Sequence, residues 1–342
     1  MLMSQSQLEL YLDCPFKYAC EKILRLGDSS PAEFSYAGIG TYVHAILERY
    51  LKEIYTVRGG VYPPEQDNRA LLASVSESVI DEIAPPGTPS RTGLVSHLSE
   101  RLRLLAAVIS DDVSKEIRGS DFLPEHFELE IGPGKFPPIS FPLSDGGSVS
   151  FIGKVDRIDV CRRDGVAYIK AVDYKTGSKE FRVSDIADGK NLQLLLYMLS
   201  LTKDGNSSFF GGKPKEAAFE YLSCNAERLK ELPETEAEAV NKASETLSRS
   251  GIVVEGNECR LSGNNENRYL MKTSKSSSTV TEEEFKEFKD TVSGIITDTA
   301  EKMKSGYAAA RPSNGSDSCR YCSYSGICRS SVKYDGINET ED

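Results

Sequence analysis

Two carboxylates and a lysine lie near the ends of two neighbouring β-branched segments of the sequence. Asp156 lies in "GKVDRIDV", and Asp173 and Lys175 lie in "VDYKTG", at the end of the next segment. Because side chains alternate along a strand, Asp173 and Lys175 project from the same face. One or two carboxylates are the usual protein ligands of Mg²⁺, and a lysine beside them can hold or activate a water. Such a group has the chemistry needed for metal-assisted hydrolysis of phosphodiesters.

Three further polar side chains lie on predicted helices on either side of these strands in the sequence. Gln193 and Tyr197 are four residues apart in "LQLLLYMLSL", so they lie on one side of a predicted helix. His44 falls at the edge of the apolar face of a helix predicted over residues 38–57. Glu130 in "HFELEI" is a weaker candidate, placed behind the metal ligands.

Each of these residues also has an ordinary structural explanation. A histidine at a helix edge is usually packed and hydrogen-bonded, and an Asp-x-Lys pair at a strand end is usually a solvated ion pair. Gln193 and Tyr197 could be the polar side of an amphipathic helix. The order of all these residues along the chain, rather than any single one, favours the metal site.

The cysteines suggest a second metal centre. Cys319, Cys322 and Cys328 are separated by two and five residues, and Cys14 is the best fourth ligand. Four thiolates suit zinc or an iron–sulfur cluster, and spacing alone does not separate them; four reduced, unligated thiols are the remaining alternative. The other four cysteines are expected to be ordinary small apolar residues: Cys20, Cys161, Cys224 and Cys259.

Composition limits the class of protein. The 342 residues are 39% hydrophobic and 27% charged, which is ordinary for a globular chain that buries a core. The net charge of −11 argues against a uniformly basic surface, so any nucleic-acid contact must be local. Between Gly153 and Lys190 there are nine basic and seven acidic residues, and we expect the DNA groove there. No apolar run of about 18 residues and no secretory leader are present, so we expect a cytoplasmic protein without membrane contact.

Periodicity places these residues on elements. Helical patterns cover residues 4–14, 38–57 and 94–117, and alternating segments near 126–131, 148–160 and 166–175 read as strands of one sheet. Ser4 with Gln7 and Thr281 with Glu284 have the spacing of capping boxes, which mark helix starts. The span 225–280 is polar and least predictable.

Together, "GTYVHAILE", "GKVDRIDV", "VDYKTG" and "QLLLY" resemble the ordered motifs of the RecB-like branch of the PD-(D/E)xK nucleases. "YLDCPFKY" and "CRYCSYSGIC" resemble the split four-cysteine iron–sulfur staple of AddB-type nuclease domains and of CRISPR-associated RecB-like exonucleases. Val155 stands where the motif that names the superfamily has proline. AddB-type proteins carry a helicase-like region before the nuclease motifs, so we expect this chain to be a C-terminal piece or a stand-alone relative.

The resemblance implies a restriction-endonuclease-like α/β fold, with a mixed central sheet flanked by helices, an N-terminal helical region and a C-terminal cysteine segment. It divides the chain into residues 1–120 (helical), 121–225 (catalytic sheet), 226–330 (helix and iron–sulfur segment) and 331–342 (tail). It implies Mg²⁺ or Mn²⁺ held by His44, Asp156, Asp173 and the Tyr174 carbonyl, with Lys175, Gln193 and Tyr197 completing the catalytic set. It also implies a 4Fe-4S cluster on Cys14, Cys319, Cys322 and Cys328.

The function implied by the resemblance is a metal-dependent DNA exonuclease that acts on single strands or ends. Its setting would be double-strand-break repair and recombination, within an AddB-type helicase–nuclease and with an AddA-type subunit as partner. Two alternatives come from other classes: a catalytically idle domain that guides DNA, and a zinc-stapled interaction protein. Metal-dependent cleavage discriminates the first, and iron content discriminates the second.

Overall fold

A mixed β-sheet lies at the centre of the protein and carries helices on both faces. The computed structural model describes residues 1–26, 36–87, 96–176, 182–224, 235, 238–239, 247–256, 259–261, 277–313, 316–320 and 322–328. Within these residues the sheet has eight strands, which confirms the predicted α/β class with a mixed central sheet. The predicted tail 331–342 lies outside the described residues.

The strands are β1 (Leu2–Ser4), β2 (Leu123–Ile131), β3 (Ser140–Pro142), β4 (Ser148–Arg163), β5 (Val166–Lys175), β6 (Lys213–Cys224), β7 (Leu247–Val254) and β8 (Ser277–Val280). Their order is β1-β4-β5-β6-β7-β8, and β2 and β3 also pair with β4. β4 and β5 are antiparallel, whereas β5 and β6 are parallel. A parallel pair needs a crossover connection. The segment between β5 and β6 provides it and contains the predicted Gln-x-x-x-Tyr helix.

The helices are α1 (Gln5–Asp13), α2 (Pro15–Tyr18), α3 (Tyr36–Lys52), α4 (Glu65–Ile83), α5 (Ser96–Arg118), α6 (Gln193–Leu201), α7 (Ser207–Phe210), α8 (Glu282–Lys304), α9 (Ser316–Cys319) and α10 (Ser325–Cys328). Both predicted capping boxes are present, at the starts of α1 and α8. The helix predicted to Val57 ends its α-helical part at Lys52 and continues as a π-helical turn over Glu53–Val57. Among the described residues, none of the helices combines the length and apolarity needed to cross a membrane.

The two larger hydrophobic cores of the described residues lie on opposite faces of the sheet. The first core joins the sheet to α6 and α8 and contains Ile169, Leu195 and Ile296; the second joins the opposite face to α3 and α5 and contains Leu47 and Ile109. Alternating residues of β5 serve both cores, because Ile169 and Ala171 face the first and Val172 and Tyr174 face the second. Hydrophobic side chains therefore cover both faces of β5, and Asp173 and Lys175 lie at its carboxyl end.

Strand β2 changes face at Glu128. Phe127 packs against the second core and Leu129 packs against the first, although residues two apart share a face in a regular strand. Between them, Glu128 has a φ of 52°, in the left-handed region that few residues other than glycine adopt. The register pairs Phe127 with Arg157 and Leu129 with Val155, so Glu128 lies opposite Asp156 of β4.

The two ends of the chain are hydrogen-bonded to each other. The carbonyl oxygen of Asp13 accepts from the Ser313 N–H (2.8 Å), and its carboxylate accepts from the Ser318 hydroxyl (2.8 Å). The Tyr11 hydroxyl donates to the carbonyl oxygen of Tyr307 (2.7 Å). The segments that carry Cys14 and the C-terminal cysteines are therefore adjacent through protein contacts alone.

One prediction about the cysteines is wrong. Cys161, in β4, and Cys259 form a disulfide, with their Cα atoms 6.4 Å apart, instead of being separate apolar residues. The two cysteines are 98 residues apart in sequence, so local sequence does not show this contact. Cys20 is buried as predicted, and the side chain of Cys224 lies outside the described part of the chain.

Candidate metal centre

The neighbouring strands β4 and β5 bring Asp156 and Asp173 together. Their antiparallel register pairs Arg157 with Val172, which sets the two carboxylates side by side at the end of the pair. Both side chains are buried, with 6% and 2% exposure. The Tyr174 N–H donates to Asp156 Oδ2 at 2.8 Å, so the main chain of β5 fixes the orientation of the β4 carboxylate.

Helix α3 adds His44 to this pair. Its Nε2 lies 2.8 Å from the carbonyl oxygen of Tyr174, and its Nδ1 lies 3.3 Å from Asp156 Oδ1. Burial lowers the pKa of His44, but hydrogen bonds to Asp156 and Glu128 outweigh burial and raise it to about 10. The imidazole is therefore protonated at neutral pH, and metal binding by this ring requires loss of that proton.

Glu128 is a site residue that the sequence analysis missed. Its Oε1 lies 3.9 Å from His44 Nδ1, and its carboxylate also pairs with Lys154. Burial raises the pKa of Glu128, but hydrogen bonds to His44 and Lys154 lower it below its ordinary value. Ligand atoms of Glu128, His44 and Asp156 lie within 4.8 Å of one another. Local alternation put Glu128 and Glu130 on one face of a strand but gave no sign of which one meets Asp156, because that depends on the β2–β4 register.

Asp173 is held by two side chains on its other side. Asp173 Oδ1 accepts from Gln193 Nε2 (2.7 Å), and its Oδ2 lies 2.7 Å from Lys175 Nζ. Lys175 Nζ in turn donates to Gln193 Oε1 (2.7 Å), which closes a triangle of three side chains. Burial first, and then the charge of Asp156, raise the pKa of Asp173 to about 6, against the opposing effect of Lys175.

Tyr197 lies one helical turn beyond Gln193 and contacts the same group. Its hydroxyl accepts from the Lys154 N–H (3.2 Å) and lies 3.5 Å from Gln193 Nε2. This approach requires glycine at position 153, because a Cβ there would come within 2.4 Å of the Tyr197 hydroxyl oxygen. Gly153 of the "GKVDRIDV" segment thus admits the α6 side chain to the end of β4.

These side chains fit a hard divalent cation. A cavity of about 420 Å³ is lined by His44, Glu48, Glu128 and Asp156, with Lys154 at its rim. Carboxylate oxygens and one imidazole nitrogen form a donor set suited to Mg²⁺ or Mn²⁺, and they lie close enough together for one ion. Asp173 lies outside that group but is adjacent to Asp156. Burial first, and then the charge of Asp156, raise the pKa of Asp173, and a bound cation would favour its ionised form.

The structure places the other predicted contacts differently. Glu130 is half exposed and pairs with Lys135, so it does not lie behind the metal ligands. Arg157 and Lys170, counted toward the DNA groove, are buried and form ion pairs with Glu116 of α5. They cannot contact DNA, because helix α5 covers that face of the sheet. Arg162 and Arg163 pair with acidic residues at the far end of β4, and Lys179 lies outside the described residues.

The predicted iron–sulfur thiols come from segments that are in contact. Cys14 is buried, and Cys319, Cys322 and Cys328 are half-buried. Cys20 lies among them: burial raises the pKa of its thiol first, and Cys328, Cys322 and Cys14 raise it further. Among the described residues, no three of these thiols lie within 4.8 Å of one another. Tetrahedral zinc thiolates at about 2.3 Å from the metal would be about 3.8 Å apart.

Comparisons with known proteins identify the family of the chain. The family model described as "PD-(D/E)XK nuclease superfamily" matches residues 2–329. The chain is 29% identical over 351 positions to a subunit of the ATP-dependent helicase/deoxyribonuclease of Clostridium botulinum (strain Hall), covering 96% of the chain and 30% of the relative. The proteins of the same name from Clostridioides difficile (28%; 96% and 30%) and Alkaliphilus oremlandii (27%; 95% and 30%) are similar to it as well. The chain thus spans about 30% of the length of these relatives. Because the family model covers nearly the whole sequence, the chain belongs to the PD-(D/E)XK nuclease superfamily.

Proposed function

We propose that this chain is a metal-dependent deoxyribonuclease whose active site is the group around Asp156 and Asp173. The observation that carries the proposal is the convergence of His44, Asp156, Asp173 and Lys175 at the joined ends of β4 and β5, in a member of a nuclease superfamily. Four residues from three separate elements meet there, in the order that the sequence motifs predict.

The residues that would hold Mg²⁺ or Mn²⁺ are His44, Asp156, Asp173 and the Tyr174 carbonyl oxygen, together with Glu128. When bound, the ion would polarise a phosphate and lower the pKa of an attacking water. Lys175 is already aimed beside Asp173, where its ammonium group can orient that water and offset negative charge on the phosphate oxygens.

Gln193 and Tyr197 hold the catalytic side chains in place. The amide of Gln193 holds Lys175 through its oxygen and Asp173 through its nitrogen, so that the two keep a fixed spacing. Tyr197 contacts Gln193 and the main chain of β4, which ties helix α6 to the strand that carries Asp156. Both residues thereby limit the conformations open to the catalytic pair.

We further infer that the enzyme is a cytoplasmic exonuclease that acts on single strands or ends, in double-strand-break repair and recombination. Support comes from the relatives, which are named as subunits of an ATP-dependent helicase/deoxyribonuclease. In this proposal the chain is the nuclease part of an AddB-type helicase–nuclease, with residues 1–120, 121–225 and 226–330 as parts of one nuclease domain. Its partner is an AddA-type subunit.

The same proposal assigns a 4Fe-4S cluster to Cys14, Cys319, Cys322 and Cys328. The sequence spacing of the four cysteines and their resemblance to the split iron–sulfur motif support this assignment. The hydrogen bonds of Asp13 to Ser313 and Ser318 hold the two cysteine-bearing segments together, as a shared cluster needs. The cluster is structural, since its thiols lie on elements separate from β4 and β5.

The decisive experiment is a cleavage assay with end-labelled single- and double-stranded DNA in Mg²⁺, in Mn²⁺ and in EDTA. We expect wild-type protein to cut only with a metal ion, and Asp173→Ala and Lys175→Ala to lose cleavage while keeping their fold and DNA affinity. Lys135→Ala is the matched control, because Lys135 is an exposed lysine that pairs with Glu130 away from the cavity. Metal-dependent cleavage that survives in both active-site variants would overturn the assignment. A folded wild type that binds DNA but never cuts it would favour the DNA-guiding alternative.

A further inference from the structure

Lys154 lies at the rim of the cavity of the candidate metal centre. Among the described residues that line this cavity, it is the only lysine or arginine. Its side chain is 53% exposed, and its ammonium group pairs with the carboxylate of Glu128. The cavity therefore carries an exposed lysine directly beside the carboxylates that would hold a metal ion.

The main chain of Lys154 is held in place, whereas its side chain is free to turn. Its N–H donates to the Tyr197 hydroxyl (3.2 Å), which Gly153 allows to come this close. Asp156 lies two residues further along β4, on the same face of the strand and about 7 Å away. Because a lysine ammonium group is carried on a flexible four-carbon stem, it can reach a phosphate bound at Asp156 or next to it.

Glu128 is shared between Lys154 and the candidate metal ligands. The β2–β4 register sets Lys154 opposite Glu130, but Glu130 pairs with Lys135 and Lys154 pairs with Glu128. On its other side, Glu128 Oε1 lies 3.9 Å from His44 Nδ1. A divalent cation held by this carboxylate would compete with the ammonium group and repel it, because like charges at short range repel.

We propose that Lys154 binds a phosphate of the DNA strand in the active site, and that Glu128 holds the Lys154 ammonium group in the metal-free protein. The proposal rests on the deoxyribonuclease function above and adds a residue that positions the strand. When Glu128 turns to a metal ion, the ammonium group loses its carboxylate partner, and a phosphate takes that place. Lysine binds phosphate as a point charge, so this contact positions the strand without reading its sequence.

The salt dependence of DNA affinity tests the contact. The Kd for a single-stranded thymidine oligonucleotide is measured over a range of KCl concentrations at one Mg²⁺ concentration, in a Lys175→Ala protein that does not cut DNA. Each phosphate contact on a single strand contributes about 0.7 to the slope of log K against log salt. We expect Lys154→Gln to reduce this slope by about 0.7 and to raise Kd about fivefold at about 0.1 M KCl, and Lys154→Arg to keep both values.

Lys135→Gln in the same background is the matched control. Lys135 is similarly exposed (55%) and pairs with Glu130, but it is not among the residues that line the cavity. Every Lys154 variant keeps the main-chain N–H that Tyr197 accepts, so melting temperatures should stay close to that of the parent protein. An unchanged slope in Lys154→Gln, or equal changes at both positions, would refute the contact.

The role of Glu128 is tested in EDTA. There Lys154→Gln should change Kd less than in Mg²⁺, because the ammonium group that it removes is already paired with Glu128. Glu128→Gln should lower Kd in EDTA, and this gain should vanish in the double variant Glu128→Gln, Lys154→Gln. A gain that persists in the double variant would reflect only the loss of a negative charge and would refute the shared carboxylate.

Cleavage by the wild type is scored separately from binding. A slope that depends on Lys154, in a wild type that never cuts DNA, would reject the nuclease function and keep the phosphate contact. Metal-dependent cleavage together with an unchanged slope in Lys154→Gln would keep the nuclease function and reject the contact.

Discussion

Replacing Asp173 by asparagine should stabilise the metal-free protein at neutral pH. Asp173 is 2% exposed, and burial together with the charge of Asp156 raises its pKa from 3.8 to about 6. The unfolded chain therefore ionises this carboxyl more easily than the folded chain does. Asparagine resembles the protonated acid in shape and keeps a group that can face Gln193, but it removes the buried charge.

The size of the effect follows from those two pKa values. A group whose pKa is raised by folding stabilises the folded state at pH values below its pKa in the unfolded chain. This stabilisation is lost as the pH rises through its pKa in the folded protein. The free energy of unfolding of the wild type should be lower than that of Asp173→Asn by about 0.5 kcal/mol at pH 4 and by about 3 kcal/mol at pH 7.5. These values use about 1.36 kcal/mol per pKa unit. Most of the difference should develop between pH 4 and pH 6.

Urea unfolding in EDTA, at several pH values between 4 and 7.5, measures this difference. Added Mg²⁺ should reduce the difference in free energy of unfolding between the two proteins. A ligand that binds only the folded state stabilises it, and the wild type alone has the Asp173 carboxylate needed for binding. Asp145→Asn is the control: Asp145 is exposed and its pKa is lowered by Lys304, so no gain is expected at any pH. An Asp173→Asn protein that is less stable than wild type at pH 7.5 in EDTA, or a gap independent of pH, would refute the reasoning.

Two further predictions concern the cysteine cluster and the buried charges. Cys14→Ala should lose iron, sulfide and the broad visible absorbance of a cluster, and it should melt at a lower temperature, because a shared cluster closes a loop of about 300 residues. Cys20→Ala is the control: Cys20 is a nearby thiol outside the proposed ligand set, so this variant should keep its iron. Stoichiometric zinc in the wild type would contradict the cluster. Arg249→Met should lower the free energy of unfolding by about 3–5 kcal/mol, because it leaves buried carboxylates without their cationic partner. Arg103→Met, which removes an exposed ion pair, should lower it by at most about 1 kcal/mol in the same urea titration.

Much of the site was predictable because its residues follow local rules. Alternating residues define β4 and β5, and a short turn between them forces an antiparallel pair, which sets Asp156 beside Asp173. The four-residue spacing of Gln193 and Tyr197 puts both on the side of α6 that faces the strand ends. The capping boxes locate the starts of α1 and α8 by a side-chain pattern that needs no tertiary information.

Long-range contacts decide the parts that were missed. Glu128 enters the site only because its backbone adopts a left-handed φ within β2, a choice imposed by packing Phe127 and Leu129 on opposite faces. The buried positions of Arg157 and Lys170 depend on Glu116, a carboxylate more than forty residues away in sequence. Charge counting along the chain therefore assigned these two cations to solvent, because nothing near them in sequence shows what covers them.

Strand β5 separates a buried network of ion pairs from the proposed metal site, and Tyr174 contacts both. Behind the sheet, three cations and four carboxylates pair with one another in the core. Burial first, and then the charge of Glu116, raise the pKa of Glu220 above its ordinary value. In front of the sheet, the carboxylates of Asp156, Asp173 and Glu128 lie near one another, at the proposed metal site. The Tyr174 hydroxyl accepts from Arg157 Nη1 (3.3 Å), while its main chain contacts Asp156 and His44. The buried ion pairs behind β5 thus help to fix the position of the strand, and that position holds the carboxylates of the proposed metal site together on its other side.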